Sequence, residues 1–207
     1  MANQVKVDAA LNTVRQQQQA LTYDPDQGYL AKRGSAALDP DPLGRSLPQQ
    51  YGEQLQDTIS STAASLGNEA QRRVFQQQVA PIATSFTGQV QSHMLSEFTS
   101  FGMQTQDGTI KLAADAAKGN WDQPDLIAPQ IASAQAAVWK KGQIAGTPAN
   151  LVQAEIQQTT SAIHSGVIEA ALTNNEPAYA LAYINAKKGE MTADDLLKAN
   201  GVIKADM

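Results

Sequence analysis

NEAQRRVFQQQVAPIATSFTGQVQSHMLSEFTSFGMQTQ, residues 68–106, is the stretch that decides the fold. Its apolar residues Phe75, Val79, Ile82, Phe86, Val90, Met94, Phe98 and Phe101 recur at steps of four and three, which draws one stripe along a helix. All four of the chain's phenylalanines lie on that stripe. At about 1.5 Å per residue such a stretch makes a rod on the order of 60 Å, far longer than an ordinary globular helix. Pro81 falls inside it and predicts a bend, because an interior proline removes one backbone hydrogen bond and crowds the preceding turn. A helix this long cannot bury its stripe on itself. Other helices, from the same chain or from another copy, must cover it, so the stripe is read as a packing and assembly surface. Between Val74 and Ser96 the intervening residues are uncharged, mostly Gln, Ser and Thr.

The rest of the composition agrees with an all-α protein. Alanine and 25 glutamines abound, aromatics are 5%, and no stretch alternates apolar and polar residues over a strand's length. Charged residues are only 17%, so amides and hydroxyls solvate much of the surface; such faces pack against protein at lower desolvation cost than charged ones. A net charge of -5 argues against a dedicated nucleic-acid surface, which needs a basic patch to neutralise phosphates. The basic doublets Lys32/Arg33, Arg72/Arg73, Lys140/Lys141 and Lys187/Lys188 are dispersed and read as solvated faces. Without cysteine there is neither disulfide nor thiolate metal site. The start, Met1-Ala-Asn-Gln-Val-Lys, lacks the apolar run of a secretory signal, and no window reaches the roughly 18 apolar residues of a membrane span.

Outward from the long helix, the punctuation divides the chain into residues 1–45, 46–106 and 107–207. In the first segment a helix over 4–21 shows Val7, Ala10, Val14 and Leu21 on one side and stops at Asp24-Pro25-Asp26-Gln27-Gly28. A short helix over 29–38 is weakened by Gly34, and Asp39-Pro40-Asp41-Pro42-Leu43-Gly44 is a linker that no helix interior can hold. In the second segment Ser46 caps a helix carrying Tyr51, Leu55, Ile59 and Ala63, which ends at Gly67 in a left-handed cap. Asn68 then caps the long helix at once, so the two form an antiparallel hairpin.

The third segment reads as helical hairpins. Asp107-Gly108 makes a turn and Thr109 to Lys118 a short helix, closed by Gly119-Asn120. Further helices run from Pro124 to about Ile144, from a Thr147 cap with Pro148 in the first turn to Asn174-Asn175, and from Pro177 to Lys188. Thr192-Ala-Asp-Asp195 is a capping-box variant opening the last helix. The pattern Thr109–Lys118, Gly-Asn, helix is weakly repeated by Ser165–Thr173, Asn-Asn, helix. A helix pattern cut off at Ala205-Asp206-Met207 suggests the front part of a longer polypeptide.

No constellation predicts catalysis or a cofactor. His93 and Glu97 share a helix face, but a zinc protease needs a second histidine beside the glutamate, so the pair is read as structural. His164 has no acidic or nucleophilic partner nearby in sequence and is read the same way. Asp24-x-Asp26-x-Gly28 starts like a calcium loop, yet Ser35 stands where the bidentate Glu belongs and the glycine comes one position early. Neither a phosphate loop nor a nucleophile elbow occurs. Trp121 and Trp139 are candidate anchors of packing or of an interface.

Residues 28–39, Gly-Tyr-Leu-Ala-Lys-Arg-Gly-Ser-Ala-Ala-Leu-Asp, resemble an N-terminal feature of tailed-phage internal virion, or ejection, proteins and related large structural proteins. In that group an acidic Pro-containing link, a helix and an Arg-Arg-x-Phe segment before a long helix follow; here these are Asp39–Pro42, Gln49–Leu66 and Arg72-Arg73-Val74-Phe75. Gly166–Leu172 followed by Asn175–Leu181 is similar to the group's hairpin repeats. The resemblance covers most of residues 23–197. It implies a helical, oligomerising virion protein that is delivered to the periplasm and envelope of the host on infection and joins other virion proteins in genome delivery. Some members carry a lytic transglycosylase domain, but Ser96-Glu97-Phe98 does not match its Glu-Ser motif, so no catalytic residue is carried over. The alternatives are the noncatalytic N-terminal domain of a virion-associated cell-wall hydrolase and a bacterial helical adaptor or binding module.

Overall fold

A computed structural model describes residues 2–206, with side chains for residues 4–204; Met1 and Met207 lie outside the described residues. The protein is all-α, with α1 (Ala2–Tyr23), α2 (Ser35–Leu38), α3 (Leu47–Ser65), α4 (Glu69–Gly119), α5 (Pro124–Ala145), α6 (Ala149–Thr173), α7 (Pro177–Lys187) and α8 (Ala193–Asp206). Among the described residues there is no strand, and no helix is long and apolar enough to cross a membrane. Packing divides the chain into two compact units, Met1–Phe101 and Gly102–Met207. Breaks read from sequence fell after residues 45 and 106; the packing boundary falls once, and the Pro/Asp linker lies inside the first unit.

In the first unit α1, α3 and residues 69–101 of α4 enclose one core. Val7, Leu11 and Val14 of α1 and Tyr51, Leu55 and Ile59 of α3 meet Phe75, Val79, Phe86 and Val90 of α4. Gly52 faces Thr87 while Ile59 shares a groove with Val79, the pairing of an antiparallel hairpin. The caps are made as the sequence indicates. Gln49 Oε1 accepts from the Ser46 N–H at 2.8 Å, and Asn68 Oδ1 accepts from the Gln71 N–H at 2.9 Å. The expected left-handed cap at Gly67 is not formed. Leu66 turns the chain in extended conformation (φ -75°, ψ 134°) and buries its side chain in the core, while Gln71 Oε1 takes the Gly67 N–H.

The short helix expected over 29–38 is broken in two. Tyr29–Ala31 makes a single 3-10 turn and α2 begins at Ser35, because Gly34 takes φ +52°, a conformation that side-chain-bearing residues avoid. Tyr29 is buried edge-on against Tyr51 and Phe86, each with its ring centre 5.9 Å away. Tyr51 in turn donates its hydroxyl hydrogen to the Gln27 carbonyl at 2.5 Å.

The largest departure concerns the end of α4. The turn expected at Asp107-Gly108 does not exist, and α4 runs unbroken through Pro81 and through Gly108 to Gly119. The short helix expected over 109–118 is its last part. A mid-helix glycine costs only about 1 kcal/mol, and the continued helix carries Ala113 and Ala117 into the second core. Asp107 is also held as a helical residue, 2.9 Å from Lys141 Nζ.

In the second unit α5 and α6 pair, and α7 and α8 pack on α6. The α5–α6 crossing is tight: a Cβ at Gly142 would collide with Cγ2 of Val152. Gly146 closes α5 at φ +66°. Pro148, and not Thr147, occupies the position before the first helical residue of α6. At the two Asn-containing breaks the Asn120 and Asn174 side chains each donate to the carbonyl four residues back, at 2.8 Å. They are also joined, since Tyr179, two residues past the start of α7, reaches the Trp121 carbonyl.

Candidate functional site

Chemistry-bearing side chains gather in two places, one in each unit. In the first, α4 presents His93 and Glu97 one turn apart to the Lys32–Gly34 bend. Glu97 is only 8% exposed; its Oε2 accepts from the Gly34 N–H at 3.0 Å and its Oε1 lies 2.6 Å from Arg33 Nη1. His93 Nε2 is 2.8 Å from the Lys32 carbonyl, so it carries the hydrogen on that nitrogen. The Gly34 N–H and the Arg33 guanidinium hold the Glu97 carboxyl below the usual carboxylate range. Both Glu97 oxygens and His93 Nε2 thus fasten the bend to α4.

The second gathering was not visible as a cluster in the sequence. Ser161 and His164, both fully buried, lie a turn apart on α6. Ser161 Oγ donates to Asp195 Oδ2 at 2.5 Å and accepts from the Thr192 N–H at 2.9 Å, while Thr192 Oγ1 donates to the same Asp195 oxygen at 3.0 Å. His164 Nδ1 is 2.9 Å from the Tyr183 hydroxyl, and Nε2 is 3.2 Å from Glu190 Oε2. Lys187 Nζ lies 3.0 Å from the other Glu190 oxygen. The bonds from Ser161 and Thr192 hold the Asp195 carboxyl low, and Lys187 followed by His164 does the same for Glu190. Burial pushes the His164 imidazole below its ordinary range, against the upward pull of Glu190, and pushes the Tyr183 hydroxyl up.

These residue types invite comparison with a hydrolytic triad, and the geometry differs from one. A nucleophilic serine gives its proton to a histidine that a carboxylate orients. Here Ser161 gives its hydrogen to Asp195, and both His164 nitrogens are engaged by Tyr183 and Glu190. The signal available in sequence was the pair of polar residues, Ser161 and His164, set inside the otherwise apolar face of Ile163 and Val167. A buried polar group demands partners; His164 finds them 19 and 26 residues later, beyond any local motif.

The remaining sequence candidates are placed as follows. Phe75, Val79, Phe86 and Val90 are buried in the first core, with Ile82 and Met94 partly buried against it. Phe98 and Phe101, which continue the same packing and assembly stripe, are 56% and 42% exposed. The Phe101 ring lies against Gly34, and Leu95 beside Phe98 is 54% exposed. Trp121 is half-buried edge-on against Tyr179, ring centres 5.3 Å apart, whereas Trp139 on α5 is 45% exposed. Asp24 closes its own turn by accepting from the Asp26 and Gln27 N–H groups, and Gly28 leaves no room for a Cβ beside the Asp24 carbonyl. Asp41 accepts from the Leu43 and Arg45 backbone and binds the Arg45 guanidinium, which also reaches Glu53. Among the described residues no group of three or more His, Cys, Asp or Glu is arranged to hold a metal ion.

Compared with family models, with curated proteins and with solved structures, the chain has no match.

Proposed function

We propose that this chain is a noncatalytic structural protein that acts by helix packing and assembly, as an ejection-type component of a tailed-phage virion serving genome delivery through the host envelope. The observation that carries the assembly reading is the change of role along one helix face. The α4 stripe builds the first core as far as Met94, then continues into Phe98, more than half exposed, with Leu95 beside it. A helix that turns an apolar stripe outward presents a surface for another protein segment. The exposed face leading up to it, from Gln76 to Ser92, carries no charge that association would have to desolvate. Its partners would be further copies of itself and other virion proteins, with host envelope contact after delivery. The virion setting rests on the resemblance over residues 23–197.

Two measurements test the reading. Mass spectrometry of virions purified from the source phage, with and without protease treatment of intact particles, should find protected peptides between Arg73 and Lys111. Presence only in infected cells would remove the virion setting. Sedimentation of the purified protein should show association that Leu95→Ser with Phe98→Ser abolishes; a protein that stays monomeric at all concentrations would remove the assembly mechanism.

A further inference from the structure

The α7–α8 pair is tied to α6 through buried polar groups at two adjacent points. Ser161 holds Thr192 and Asp195 at the start of α8, and His164 holds Tyr183 on α7 and Glu190 in the turn between them. The protonation state of His164 follows from its partners. An ionised carboxylate only accepts, so Nε2 carries the hydrogen toward Glu190 and Nδ1 is the acceptor for the Tyr183 hydroxyl. A neutral imidazole satisfies both neighbours, and a second proton on Nδ1 sets donor against donor.

We propose that His164 is a pH-sensitive latch, whose protonation on mild acidification loosens the α7–α8 pair from α6. To accept from a doubly protonated ring, Tyr183 must turn its hydroxyl hydrogen away from its present partner, and the new charge sits on a side chain with no solvent exposure. The charged and titratable groups around it are Tyr183 and Lys187 on α7, Glu190 in the turn, and Asp195 with Lys198 on α8. None of the α5 residues lining the pocket beside Tyr183 and Glu190, such as Ile127, Ile131 and Gln135, titrates. Burial opposes the imidazolium and outweighs the pull of Glu190 toward it, and Lys187 acts in the same direction as burial. Once the pair has opened, the ring regains its ordinary affinity for a proton. The open form therefore binds more protons, and acidification below about pH 6.5 shifts the balance toward it. Glu190 and Asp195 stay ionised in that window, since their partners hold both carboxyls low.

Trp121 supplies the reporter, because its indole meets Tyr179 of α7 edge-on and its carbonyl takes the Tyr179 hydroxyl hydrogen. In a Trp139→Phe background it is the single tryptophan of the chain. Emission and helical circular dichroism would be followed together from about pH 7.5 to about pH 5. The expected result is a reversible change in Trp121 emission with a midpoint below about pH 6.5, with most helical signal retained. His164→Gln should lower that midpoint by at least about one pH unit, toward the carboxylate range. Glu190→Gln should raise it, because removing the carboxylate deepens the penalty on the imidazolium. The opposite signs separate a latch from general acid sensitivity. Should His164→Gln fail to fold, the His164 ring-proton resonances of the unsubstituted histidines' chain must titrate in step with the Trp121 emission. An emission that ignores pH in this range, equal midpoints in all three proteins, ring titration out of step with emission, or loss of all helix in a single step would each overturn the proposal.

Discussion

Glu97 accepts a hydrogen bond from the backbone N–H of Gly34, a residue 63 positions earlier in the chain, at 3.0 Å. The bond meets a backbone donor whose conformation only glycine adopts freely, φ +52°, and so joins a local peculiarity of the chain to a distant helix. Replacing Glu97 by Ala leaves that donor and the Arg33 guanidinium without their acceptor. Urea denaturation should show a loss of about 1–3 kcal/mol. Since the carboxyl is held below its usual range when folded, its contribution is complete above the ordinary value and disappears as pH falls through the folded one. The stability difference between the parent and Glu97→Gln should therefore narrow at strongly acid pH.

Gly34→Ala should be destabilising by about 1–3 kcal/mol through its backbone conformation. The Phe101 ring, 3.2 Å from where the new Cβ would sit, adds to this. A melting temperature equal to the parent's would show that the bend relaxes freely.

Gly108→Ala distinguishes helix from turn at the Asp107-Gly108 doublet, where α4 continues and the expected turn is absent. The added methyl meets nothing within 4 Å. It should stabilise by up to about 1 kcal/mol, because alanine is the better residue in a helix interior; a turn at that position would give loss instead.

Gly142→Ala should go the other way despite the same helical gain, since the new Cβ strikes Val152. The expected net loss is about 1–2 kcal/mol. Combining it with Val152→Ala should give a double-mutant coupling of about 0.5–3 kcal/mol in the compensating direction, measured by thermal or urea unfolding.

Ser161→Ala removes the hydroxyl that joins α6 to Thr192 and Asp195. A loss of about 1–3 kcal/mol is expected, with amide exchange quickening first in the first turn of α8. Equal exchange throughout the second unit would argue against a local tie.

Helix starts were legible because they rest on short-range chemistry: Ser46 with Gln49, Asn68 with Gln71, Thr192 with Asp195. So was the first half of the α4 stripe, where four-residue spacing alone selects the buried face. Phe98 and Phe101 continued the spacing without the burial, because periodicity reports what a helix could bury and not whether another element reaches it. Asp107-Gly108 was misread because a doublet that permits a turn does not require one, and a mid-helix glycine costs only about 1 kcal/mol. The partners of His164 were illegible for a similar reason, since Tyr183 and Glu190 reach it only after α7 has folded back on α6.

One consequence follows from α4 being continuous where the packing units meet between Phe101 and Gly102. Modules that evolution shuffles are usually joined by exposed, dispensable loops, and here the joint is hydrogen-bonded helix. Severing it would leave unpaired amides on one side and unpaired carbonyls on the other. A cut or an exchange at that point therefore costs two frayed helix ends, which a cut in an exposed loop would not create.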